Sequence, residues 1–96
     1  MTAPDWTPTA GTHGGAISPF PRWQADHSPR VCVSKTLDPT GRWRVVAWAG
    51  KGSALAVEVT MAAESVAESD VDATAAILGA AVERACERLR AARVSP

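Results

Sequence analysis

The clearest periodicity in the chain is helical and lies near its end. Val71, Ala75, Leu78, Val82, Ala85 and Leu89 recur at spacings of three and four, which lines up one apolar stripe along a helix. Asp70 and Asp72 stand at its start, and Arg84, Arg88, Arg90 and Arg93 stand near its end, the polarity that suits a helix dipole. Ser69, with Asp72 three residues on, is the predicted N-cap. The helix is predicted to run to about residue 94. Gly79 inside it costs about 1 kcal/mol relative to Ala and marks a predicted close approach to the sheet.

Ahead of the helix the period shortens to two. Residues 30–36 put Val31 and Val33 on one face, and residues 42–49 are rich in aromatic and β-branched side chains. Residues 54–61 alternate, with Leu55, Val57, Val59 and Met61 on one face and Ala54, Ala56, Glu58 and Thr60 on the other. Leu37-Asp38-Pro39-Thr40-Gly41 and Gly50-Lys51-Gly52-Ser53 read as turns. Residues 62–69 are ambiguous between strand extension and loop. Short connections between strands imply an antiparallel meander. The predicted fold is therefore α+β: a three-stranded antiparallel β-meander packed against one long C-terminal α-helix, over residues 30–96. Val31, Val33, Trp43, Val45, Leu55, Val57, Val59 and Met61 should meet the helix, and a one-residue slip would turn that whole set outward.

Residues 1–29 are unlike the rest. They hold Pro4, Pro8, Pro19, Pro21 and Pro29, with much Thr, Gly and Ser. Proline lacks an amide donor and disfavours helix at the preceding residue, so this arm is predicted to be extended or partly disordered, without regular elements. Yet it carries Trp6, Ile17, Phe20 and Trp23, which a solvated linker does not need. Phe20-Pro21-Arg22-Trp23 is expected to pack either on this chain's own sheet or on a partner.

Composition narrows the class. Of 96 residues 46% are hydrophobic, but 19 of these are Ala, which leaves 23 large apolar side chains once the two Cys are set aside. That is a thin core for a small domain. No apolar run approaches the ~18–20 residues of a membrane span, and the polar, Pro-rich start does not read as a secretory signal. The expectation is a cytoplasmic protein without membrane contact. Arg outnumbers Lys eight to two, and with the abundant Ala this suggests a bacterial or phage accessory protein, by association only.

Few residues offer catalytic chemistry. His13 and His27 both lie in the arm, and no Ser-His-Asp set has positional support. His13, Asp26, His27 and Cys32 match no metal-ligand spacing, and Cys32 and Cys86 fit neither a metal motif nor a disulfide framework. Both thiols read as small buried hydrophobes. Gly50-Lys51-Gly52-Ser53 resembles a fragment of a phosphate-binding loop, but Val45 and Gly52 stand where that loop needs Gly and Ser or Thr, and it joins two strands. A non-enzymatic protein with no cofactor or metal is expected.

The informative segment is Arg42-Trp43-Arg44-Val45-Val46-Ala47-Trp48. If Trp43 and Val45 face the helix, Arg42, Arg44, Val46 and Trp48 share the other face, joined by Arg30 and Cys32. Residues 30–61 carry five basic and two acidic groups, against one and two in 1–29 and four and six in 62–96, so the sheet is the basic part of a neutral chain. Arg42, Arg44, Trp48, Arg30 and Trp23 are the candidate binding residues. Trp and Arg are common anchors of protein interfaces, so a protein partner, including a second copy of the chain, is the functional reading favoured, beside the structural one in which the chain's own Pro/Trp arm covers this face. Nucleic acid held by the same Arg/Trp face is the alternative.

The strand–strand–strand–helix order resembles the second half of a double-stranded-RNA-binding domain and of antitoxins with a partial ribonuclease-H-like fold. The residues that would carry either match are missing. Ser69-Asp70-Val71-Asp72 is acidic where the RNA-binding domain begins its last helix with basic residues, and no Gly-Cys pair follows the third strand. The sequence assigns no family.

Overall fold

The computed structural model describes residues 3–9, 12–13, 16–17, 21–49 and 59–94. In chain order the elements are β1 (Thr7–Pro8), β2 (Thr12–His13), β3 (Ala16–Ile17), β4 (Arg22–Asp26), β5 (Val31–Leu37), β6 (Trp43–Ala49), β7 (Val59–Val66), a 3-10 turn (Glu68–Asp70) and α1 (Val71–Val94). The main sheet is antiparallel, with five strands in the order β1-β4-β5-β6-β7, and β2 pairs with β3 in a separate two-stranded ladder. Helix α1 lies across β5, β6 and β7.

The α+β class holds, but the sheet has five strands where three were expected. The two extra strands come from the Pro-rich arm, which was expected to hold no regular element. Arg22-Trp23-Gln24-Ala25-Asp26 alternates with period two and keeps its prolines outside, at Pro21 and Pro29, so all its amides remain available to pair with β5. Pro8 is tolerated because β1 is the edge of the sheet. Trp23 packs against the core of its own sheet. Phe20 lies outside the described residues.

The inward register matches the expected one. Val31, Val33, Trp43 and Val45 are buried, and Val59 and Met61 pack half-buried against them. Leu55 and Val57, with residues 54–58 of the expected third strand, lie outside the described residues. The ambiguous stretch resolves as strand, since β7 runs on to Val66. Ser69 is not the N-cap of a helix beginning beside it: it sits within the 3-10 turn that leads directly into α1. The buried stripe of α1 is Val71, Ala75, Gly79, Val82 and Cys86, with Leu78, Ala85 and Leu89 half-buried at its margin. Cys86 is a buried thiol as expected, whereas Cys32 is only half-buried, on the opposite side of the sheet.

The core is built from small groups. The largest of its fully buried side chains are Val31, Val33, Val45 and Val82, and Ala47, Ala49 and Ala75 bring helix and sheet together. Two local devices set the strand ends. Between β5 and β6 one Asp38 carboxylate oxygen accepts from the Thr40 hydroxyl at 2.6 Å, the Thr40 amide at 2.9 Å and the Arg42 amide at 3.0 Å, while Gly41 takes φ 82°. Between β6 and β7 the pairing steps from Val45–Ala63 to Trp43–Val66. Arg44 therefore faces two residues, Glu64 and Ser65, in a β-bulge where Ser65 adopts φ 56°.

Candidate functional site

Directly paired residues in an antiparallel sheet share a face, so the register sorts the candidate residues. The face turned from α1 carries Arg22, Gln24 and Asp26 on β4, Cys32, Ser34 and Thr36 on β5, and Arg44, Val46 and Trp48 on β6. Trp48 and Val46 are half-buried, and Ser34 is buried at its centre. The Arg22 guanidinium stands over the Trp48 ring, 5.9 Å from its centroid. Arg44 Nε donates to Glu64 Oε1 at 2.6 Å, and the Cys32 thiol reaches Asp26 Oδ1 at 3.6 Å.

Two of the five candidate residues, Arg44 and Trp48, thus lie on this face, at opposite ends of β6. Arg42 precedes β6 and donates from Nη2 to the Ser65 carbonyl at 2.6 Å, tying the bulge. Arg30 does not join them. It is exposed in the bend before β5 and lines a small cleft of about 130 Å³ with Glu83, Cys86, Glu87 and Arg90 of α1. Trp23 belongs to the helix side, because its partner Lys35 is also the partner of buried Val45.

On that helix side the structure builds a group which the periodicity did not single out. Lys35 sits inward, in register with Val31 and Val33, yet α1 passes over the other end of the strand. Its ammonium lies 4.8, 5.0 and 5.5 Å from the ring centroids of Trp6, Trp43 and Trp23. Trp23 and Trp43 are tilted at 55° with centroids 5.3 Å apart. Trp6 is brought in ahead of β1, and its indole N–H donates to Asp72 Oδ1 at the start of α1, 2.9 Å away. The signal available in the sequence was a lysine at an inward position of a strand together with tryptophans in a segment too polar to need them.

Among the described residues no group of three or more His, Cys, Asp or Glu side chains is placed to hold a metal ion. The Asp38 carboxyl is held below the usual carboxylate value by the Thr40 hydroxyl first and then the Arg42 amide. Asp38 shapes a turn. Among the described residues no helix is long and apolar enough to cross a membrane. No protein-family model, no curated protein and no solved structure matches this chain.

Proposed function

We propose that this is a small non-catalytic binding module that engages a protein partner through the sheet face turned from α1. The observation that carries the reading is the shared face of Trp48, Arg22 and Arg44: a half-buried indole with Val46 on the same strand face, one guanidinium over its ring, and a second, Arg44, further along that face and paired with Glu64. An indole supplies apolar area and an N–H donor, and a pre-placed guanidinium loses little freedom on binding. Both are typical interface anchors. A protein is favoured over nucleic acid by how the basic groups are used. Arg44 is neutralised by Glu64, Arg42 is spent on the Ser65 carbonyl, and the β4 border of the face has Asp5 and Asp26 beside a polar hollow of about 560 Å³. Phosphate binding draws on unpaired positive charge. A buried Cys86 thiol outside any disulfide suits a reducing, cytoplasmic setting.

The test is Trp48→Ala combined with Arg44→Ala. Losing an interface anchor typically costs 2 or more kcal/mol, roughly a 30-fold loss of affinity. A protein retained by the wild type from its host should be lost by the double variant while the helical circular dichroism signal is kept. Light scattering reads the case in which the partner is a second copy. Retention that survives the double variant would place the working surface elsewhere, and salt-dependent retention of oligonucleotides would favour nucleic acid.

A further inference from the structure

We infer that Trp6, Trp23 and Trp43 form a binding pocket for an N-methylated ammonium group, and that Lys35 is its internal, displaceable occupant. The inference concerns the helix side of the sheet and is independent of the reading of the opposite face. Three indoles converge on one cationic point, each within the ~6 Å at which a ring face attracts a cation, at 4.8, 5.0 and 5.5 Å. The rings are held from three separate segments of the chain. Trp43 is buried in β6, Trp23 stands on β4 against it, and Trp6 is fixed by Asp72. Lys35, Trp6 and Trp23 are each half-buried, so the pocket opens to solvent.

The chemistry of the lining selects the ligand. A primary ammonium carries three N–H donors that need acceptors. Among the described residues Lys35 has no ion-pair or hydrogen-bonding partner, and the indoles offer it π-faces but no carboxylate. Asp72, at the start of α1, accepts from Trp6. A quaternary ammonium has no N–H to satisfy and presents methyl groups to the rings, so this lining suits it better than it suits the lysine it holds. Lys35 is unbranched and half-exposed, and can swing into water without moving β5. Its residence lowers the apparent affinity of any external cation by the fraction of time the pocket is filled.

The group is carried both by small quaternary amines and by trimethylated lysine in a peptide. The full chain is titrated with tetramethylammonium, with choline and with a peptide bearing trimethyl-lysine, following the indole N–H resonances. Saturable shifts are expected at Trp6, Trp23 and Trp43 but not at Trp48, and the better of choline and peptide names the source. Lys35→Ala should bind at least about tenfold more tightly, because the competitor is gone, and Lys35→Met, which keeps the apolar stem, serves if the alanine variant does not fold. A neutral isostere, 3,3-dimethylbutanol, should bind less well than choline to either variant. Absence of saturable shifts in the wild type and the Lys35 variants overturns the inference. So do equal affinities with and without Lys35, or shifts as large at Trp48 as in the pocket.

Discussion

The imidazole of His27 occupies the space that a side chain at position 79 would need. A Cβ placed on Gly79 would stand 2.5 Å from both Cγ and Nδ1 of the ring and 2.9 Å from Cε1. The bend after β4 thus rests directly on α1, and His27 Nε2 lies 3.9 Å from Glu83 one turn further on. The contact explains a glycine in the middle of a 24-residue helix.

Gly79→Ala should therefore destabilise the protein, although Ala is the better helix former by about 1 kcal/mol. Overpacking costs of about 1–3 kcal/mol are typical when a rigid ring must move. In a His27→Ala background the same change should become neutral or stabilising. Thermal melts of the four proteins in this cycle measure the coupling, and additive effects would mean that the ring does not constrain position 79.

The helix stripe is centred on Val82, which is fully buried, and not on Leu78, which lies at the margin. Val82→Ala should cost about 2 kcal/mol from the lost carbons and the cavity they leave. Leu78→Ala should fall below the roughly 2–5 kcal/mol of a fully buried leucine. Urea denaturation of the two variants ranks them, and a larger loss for Leu78 would rotate the helix from the position described.

Deleting residues 1–29 removes β1 and β4, with Trp6 and Trp23, and leaves the outer edge of β5 unpaired. The truncated protein should melt about 10 °C or more lower, the size expected for losing about 2 kcal/mol in a domain this small, and should aggregate through the open edge. Calorimetry with light scattering tests both. A monomeric truncation of unchanged stability would show that the arm is dispensable to the sheet.

The Asp38 turn makes a pH-dependent contribution. Its carboxyl is held below the ordinary value of 3.8, by the Thr40 hydroxyl first and the Arg42 amide second. The folded state thus prefers the ionised form. That stability is fully present above the ordinary value and is lost as pH falls through the lowered one. Asp38→Asn should lower the melting temperature at neutral pH and narrow its gap to the wild type on acidification below that value. A gap that stays constant would remove Asp38 as the source.

The elements that were legible in the sequence are those encoded by local period. The stripe from Val71 to Val82 marked α1, and Val31, Val33, Trp43 and Val45 marked the inward face of β5 and β6, because a side chain's direction repeats with its own element's geometry. That Arg44 and Trp48 share the other face of β6 followed from the same parity. What lies between elements was not legible. Arg22–Asp26 becomes a strand only because β5 offers an edge at the right register, and that non-local pairing outweighs the prolines that made the arm look irregular. The bulge at Ser65 exists only relative to Arg44, and the choice of Gly79 makes sense only beneath His27. Lys35 shows the limit most clearly. Its inward position can be counted along β5, but three tryptophans come together around it from β6, β4 and the approach to β1. Only the folded chain brings residues 6, 23, 35 and 43 to one point.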